Sequence, residues 1–376
     1  MAEVLYVSKP VVPPWNDSSK NLVRELAAHL RRYEPHVLGR RSPNGWRPPR
    51  GTVEAVYPSA AGGFAPALRD NAHVLARLMT GPPCDLWHFF FAPNPRSSKA
   101  GRAAARLRRV PTVQTVCSAP PYGADLRALL FADRTVVLSR HTERRLQGEG
   151  VPAHRLHRIP PAIEPLGVPG EDDRRRVRDE LGLPQAGPLL VFPGDLEFGL
   201  GADRTIEALA MHDLRDAHLV MACRAKTERA RHAEATLRER ARELGLGERV
   251  TWLGETARIH ALLGAADVVL LPSDDLFAKM DHPLVLLEAM SMQRPVVVAR
   301  ATAAEELTEN GAALAVAPEP EAVAHAVRRL LDDDAQRVEM GELARAAVVE
   351  RYAPARMADA YEALYDDVLG RRTPPV

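Results

Sequence analysis

The chain has 376 residues, more than one hydrophobic core usually organises, so two domains are expected. Hydrophobic residues make up 46% and charged residues 26%, the balance of a globular protein, and no apolar run reaches the length of a membrane span. The net charge of +1 hides a split: residues 1–165 hold 24 Lys/Arg against 12 Asp/Glu, which leaves 26 against 37 in the rest.

A basic first half suits an anionic partner molecule or an acidic membrane face, or it simply complements the acidic second half. Nothing that resembles a nucleic-acid-binding module accompanies it, so nucleic acid is not an expected partner. The opening Met-Ala-Glu-Val-Leu-Tyr-Val-Ser has no basic segment ahead of a long apolar one, does not read as a signal peptide, and points to the cytoplasm. Cys84, Cys117 and Cys223 lie far apart with no CxxC pair, which argues for neither a disulfide framework nor a zinc site.

In chain order, short apolar runs predict strands at Val4–Ser8, Thr52–Tyr57, Leu86–Ala92, Thr112–Val116 and Thr135–Ser139. Between the first two, Asn21–Arg32 sets Leu22, Val23, Leu26 and Leu30 at helical spacing. The Pro- and Gly-rich stretch Ile159–Asp173 reads as a linker. Alternation resumes with strands at Leu189–Pro193, His218–Cys223, Val250–Gly254, Val268–Pro272, Val296–Ala299 and Ala313–Ala317. Helices fall at Asp203–Ala210, Lys226–Leu244 and Ile259–Gly264, and Pro318–Leu369 is helical, with Tyr361, Leu364, Tyr365 and Val368 on one stripe. Strand–helix alternation of this kind predicts two doubly wound α/β units with parallel sheets, whose strand carboxyl ends face each other across a ligand cleft.

The segment Leu270–Arg300 carries the most chemistry. A buried strand ends at Pro272-Ser273, a polar loop follows, and Pro283 sits at a helix start. Glu288 lies in that helix among Leu284, Val285, Leu286, Leu287 and Met290, and a carboxylate in apolar company needs a polar partner. Sugar or ribose hydroxyls fit that need, and so does a group of the protein itself. After the first strand, the turn Pro13–Lys20 leads into a helix. Asp17, Ser18 and Ser19 there read either as a diphosphate-binding helix start or as the N-cap alone. His88 reads as a core histidine satisfied locally, Cys117 as a packing residue, and Lys99–Arg109 as a basic, solvated helix.

The Pro-Ser strand end, polar loop, Leu-Glu-Ala-Met helix and Pro-Val-Val strand resemble the signature of the retaining glycosyltransferases of family 4. Asp85–His88, Pro111–Thr115, Thr135–Ser139, Leu156–Ile163, Val250–Gly254, Ala265–Val268 and the tail from Pro318 extend the resemblance over nearly the whole chain. It implies a GT-B fold of two Rossmann-like domains: an acceptor-side domain over 1–165, a donor domain over 166–352, and a last helix, 353–376, crossing back to the first. It further implies hexosyl transfer, with retention, from a nucleotide-diphosphate sugar (a UDP-sugar ahead of a GDP-sugar) to an unidentified acceptor, and the basic first half suits an anionic one. No cofactor and no obligatory metal are implied.

Carried over by position, Glu288 holds the donor ribose, Leu284 joins the donor-binding set, and Gly254 and Glu255 border the nucleobase. Three positions depart from the family. Met280 stands where its first paired glutamate belongs, Cys117 where it has a histidine, and Gly194–Gly201 lacks its Arg and Lys. Lys279 is then the expected counter-charge of the leaving diphosphate, with Arg224 and Lys226 as further cations, and Asp281 replaces the missing glutamate. The catalytic set is therefore Lys279, Asp281 and Glu288. The departures also leave room for an epimerase or hydrolase on the same fold, or for a non-catalytic nucleotide-binding homologue.

Overall fold

The computed structural model describes residues 1–40, 45–58, 66–194, 196–277 and 279–371. The chain divides into two compact units. The first comprises Met1–Glu164, Ala278–Asp281 and Tyr352–Val376; the second comprises Pro165–Phe277 and His282–Arg351.

The first unit is built on strands β1 (Ala2–Ser8), β2 (Tyr33–Gly39), β3 (Thr52–Ala55), β4 (Leu86–Phe91), β5 (Thr112–Val116), β6 (Arg134–Val137) and β7 (Leu156–Arg158). They form one sheet in the order β3-β2-β1-β4-β5-β6-β7, with every pairing parallel. Helices α1 (Ser18–His29), α2 (Leu68–Thr80), α3 (Pro95–Arg108), α4 (Leu126–Leu129) and α5 (Arg140–Gly148) fill the crossovers. Parallel strands buried on both faces need nearly continuous apolar sequence, and β4 supplies it with Leu86, Trp87, Phe89 and Phe90.

The second unit opens with α6 (Glu171–Glu180), so the linker is shorter than its composition suggests. Glu171, Asp172 and Asp173 belong to the helix's first turn, where carboxylates favour the positive end of the dipole. Strands β8 (Leu189–Phe192), β9 (His218–Met221), β10 (Val250–Trp252), β11 (Val268–Leu271), β12 (Val296–Ala299) and β13 (Leu314–Val316) pair in parallel in the order β10-β9-β8-β11-β12-β13. The helices are α7 (Gly201–Leu209), α8 (Glu228–Glu243), α9 (Ile259–Ala265), α10 (Leu284–Ser291), α11 (Pro320–Asp332) and α12 (Asp334–Arg351).

The last helix, α13 (Pro354–Val368), packs within the first unit. Its Glu362 accepts the backbone N–H groups of Arg31 and Arg32, each at 2.6 Å, and Asp366 accepts the Tyr33 hydroxyl at 2.6 Å. Among the described residues, no helix is long and apolar enough to cross a membrane.

Candidate functional site

Both sheets reverse their strand order once, between β1 and β4 in the first unit and between β8 and β11 in the second. In open α/β sheets the crevice beyond the strand carboxyl ends at such a reversal is where ligands bind, so the loops after these four strands are the places to search.

In the second unit these loops are Gly194–Gly201, of which Asp195 lies outside the described residues, and Ser273–Asp275. The Leu200 N–H donates to Asp274 Oδ1 at 2.7 Å. Gly199 has φ +71°, in the left-handed region that favours glycine. A Cβ on Gly201 would lie 2.1 Å from Ser273 Oγ, so the two loops touch through a glycine that no other residue replaces without movement. α7 starts there without a side-chain cap, whereas Thr227 caps α8 and gives its hydroxyl to Glu197 at 2.7 Å. An uncapped helix start next to a strand end has the amide geometry that suits a phosphate.

Beside these loops in sequence stands α10. Pro283 occupies its N-cap rather than its first turn, and Leu284, Leu286, Leu287, Ala289 and Met290 are buried. Glu288 departs from this pattern: its side chain retains 17% exposure, and its Oε1 lies 3.3 Å from Nε2 of His260 on α9. Among the described residues no other group bonds that carboxylate, which has room for about four hydrogen bonds. The protein thus supplies one partner, a half-exposed imidazole, and leaves the remaining acceptor capacity open. His260 itself lies in a helix readable from periodicity, but nothing in the spacing marked it as the glutamate's partner.

The other donor-side residues are more constrained. Gly254 has φ +67° and open space around its Cα. Glu255 holds Arg224 Nη1 at 3.1 Å, so that arginine is partly neutralised by the protein itself. Lys226 is exposed, just ahead of the α8 cap. The Leu284 side chain is buried and apolar, so only its backbone is chemically useful to a polar ligand.

In the first unit the polar groups at the start of α1 are bonded to one another. After β1, Lys9 Nζ lies 2.9 Å from Asp17 Oδ2, and Asp17 Oδ1 accepts from Ser19 N at 3.0 Å and from Ser19 Oγ at 2.5 Å. Asp17 is the N-cap of α1, with Ser18 as the first helical residue. Burial alone would raise the Asp17 carboxyl, but Lys9 and the Ser19 bonds overrule it and hold the pKa at about 2. The cap role is thus occupied, and a ligand at this turn would meet a carboxylate already bonded on both oxygens.

Asp281 is likewise committed: it is buried and accepts the Ser139 hydroxyl at 2.7 Å, while Ser139 Oγ caps α5 by accepting from Thr142 N at 3.0 Å. A sugar hydroxyl would have to compete with Ser139 for it. Cys117 is buried, and burial, with Asp17 and Asp281 adding negative charge, pushes its thiol up to about 12, so it is a packing residue rather than a nucleophile. Lys279 is half-buried and Met280 buried. The three residues expected to act together are therefore divided, Lys279 and Asp281 in the first unit and Glu288 in the second.

His88 anchors a buried network in the same unit. Its Nδ1 meets the Tyr365 hydroxyl at 2.7 Å and its Nε2 meets Thr115 Oγ1 at 2.8 Å. Thr115 Oγ1 in turn lies 3.0 Å from the Tyr361 hydroxyl, and the Tyr6 and Tyr365 hydroxyls are 3.2 Å apart. Burial holds the imidazole well below its usual pKa, hence neutral, which matches a structural histidine.

Comparison with known proteins accords with this division. Residues 18–165 match the family model described as Glycosyltransferase Family 4, and residues 173–347 match that described as Glycosyl transferases group 1. The alpha-D-kanosaminyltransferase of Streptomyces kanamyceticus is 28% identical over 58% of this chain and 56% of its own. The N-acetyl-alpha-D-glucosaminyl L-malate synthase of Bacillus anthracis is 32% identical over 36% of this chain and 35% of its own. The chain thus spans between about a third and just over half the length of these curated relatives. Among solved structures, Anabaena Alr3699/HepE in complex with UDP and glucose superposes with a TM-score of 0.76 at 18% identity, over 97% of this chain and 100% of that one. The first half thus matches a family 4 domain model and the second a group 1 domain model, and the likeness to the solved structure shows the GT-B fold.

Proposed function

We propose that this chain, built from the two glycosyltransferase domains of the GT-B architecture, moves a hexosyl group from a nucleotide-diphosphate sugar to an acceptor with retention at the anomeric carbon. The observation that carries the reading is Glu288, a half-buried carboxylate on an otherwise apolar helix of the group 1 domain, bonded by His260 and open to further donors. In this reading the two ribose hydroxyls of the donor complete its shell. The Gly194–Gly201 loop and the uncapped start of α7 take the diphosphate. A UDP-sugar is the first donor to try, since UDP and glucose occupy the Anabaena neighbour.

The bond from the anomeric carbon to the diphosphate oxygen breaks, and a bond to the acceptor oxygen forms on the same face. The acceptor proton passes to the departing diphosphate. No protein base is required, in keeping with the neutral, buried His88 and the unreactive Cys117. Lys279 is assigned the charge developing on the diphosphate.

A second reading, an epimerase or hydrolase on this fold or a non-catalytic nucleotide-binding homologue, rests on the buried Met280 and on the Arg224–Glu255 pair, which weaken the expected donor machinery. Incubating the protein with UDP-, GDP-, dTDP- and ADP-sugars, while recording thermal shift and nucleotide release, separates the readings. Release that requires an acceptor supports transfer, release without one supports hydrolysis, and stabilisation without release supports the non-catalytic form. No response to any donor removes all of them.

A further inference from the structure

The strands of the first sheet all run parallel, so the loops carrying Lys9, Cys117 and Ser139 share its carboxyl edge. At the opposite edge lies an open groove of about 1030 Å³. Arg134 on its wall opens β6, and Arg155 directly precedes β7. The groove's remaining arginines are Arg102 and Arg106 on α3 and Arg127 on α4.

The charges do not cancel locally. Arg102 donates through Nη2 to the backbone carbonyls of Arg127 and Ala128, and Arg155 through Nη2 to those of Leu130 and Ala132. Such bonds fix the guanidinium in place without neutralising it, and they cover carbonyl oxygens that would otherwise repel an anion. Arg134 is paired, with Asp367 at 2.9 Å. Arg106 and Arg127 are exposed, and among the described residues neither guanidinium has a hydrogen-bond or ion-pair partner. The three carboxylates of the wall are already engaged. Asp133 accepts from Thr112 N and Oγ1 at 2.8 Å each, Asp125 caps α4, and Glu149 holds Arg145 at 2.8 Å. Five arginines against three carboxylates leave the wall net positive, and a concave wall of one net sign concentrates its potential.

We infer that this groove is a second binding site, for an anion bearing several phosphoryl groups, separate from the donor loops of the sheets. Guanidinium forks match phosphate oxygens bidentately. The same chemistry is offered by a soluble polyphosphate and by a phosphate-rich lipid headgroup.

The test titrates the full-length protein with inorganic tripolyphosphate by calorimetry. In parallel, it is sedimented with phosphatidylcholine vesicles with and without phosphatidylinositol 4,5-bisphosphate. The expected result is saturable binding of at least one phosphoryl probe, weakened about tenfold or more in an Arg106→Ala/Arg127→Ala double variant. An Arg231→Ala control, which removes a charge from the surface of α8, should bind unchanged. Tripolyphosphate binding identifies a soluble ligand; binding to the bisphosphate vesicles alone identifies a headgroup. Binding to neither probe, or equal binding by the double variant, overturns the inference. Both exposed arginines lie outside the donor loops, so donor-dependent nucleotide release should persist in the double variant; its loss alone would indict the donor site instead.

Discussion

The two units share a topology and differ in how they use polar groups at their strand ends. In the first, Asp17 is held by Lys9 and Ser19, and His88 by Tyr365 and Thr115. In the second, Glu288 has a single half-exposed partner and the α7 start has no capping side chain. A group fully satisfied by its own protein contributes order, whereas one left with spare hydrogen-bonding capacity near a strand reversal is equipped for a ligand. In the proposed reading the first set is structural and the second recognises the donor.

The contrast can be broken from either side. The largest effect is expected for His88→Phe, which removes one hydrogen-bond partner from each of the buried Tyr365 and Thr115 hydroxyls and should lower stability by about 3 kcal/mol, read as an earlier urea midpoint for the first unit. Next comes Gly201→Ala. Its Cβ collides with Ser273, so a loss of about 2 kcal/mol is expected, together with weakened donor response if the two loops form the diphosphate seat.

Asp17 offers a pH test of the first unit. Its folded pKa of about 2 lies below the ordinary value of 3.8. Its stabilisation is therefore complete above pH 4 and is lost as pH falls towards 2, worth about 2 kcal/mol for a side chain only 12% exposed. An Asp17→Ala variant should be less stable at pH 7 and should flatten the acid limb between pH 4 and 2; an unchanged limb would remove the Lys9–Asp17–Ser19 cluster as its source. The smallest effect concerns the thiols. Cys84, Cys117 and Cys223 are buried, so the native protein should resist alkylation at pH 8 and react only after denaturation.

Legibility followed local signal strength. Apolar runs such as Thr112–Val116 and Val296–Ala299 coincide with strands. Strand β2 does not announce itself, because Pro35, Glu34 and His36 interrupt its apolar pattern; it is recruited by parallel pairing with β1. Strand β7 is only three residues long, below what periodicity resolves. The first helix runs from Ser18 to His29 rather than to Arg32, since Tyr33 already belongs to β2.

At the site, Glu288 was readable because its motif is contiguous in sequence. The Ser139–Asp281 bond spans 142 positions, and the Glu288–His260 pair joins two separate helices, so neither leaves a trace in local spacing. Cap residues were the middle case. Asp17 stood out as a capping type, but whether it binds a ligand depended on Lys9, which only the fold brings to it.

The most direct test of the central assignment is the thermal shift of wild type and Glu288→Gln with a saturating UDP-sugar. A ligand at a hundredfold its dissociation constant stabilises by about 2.7 kcal/mol. The account predicts that the wild type is stabilised, while Glu288→Gln has the same ligand-free melting temperature and loses most of the shift. Equal shifts in both proteins would contradict it.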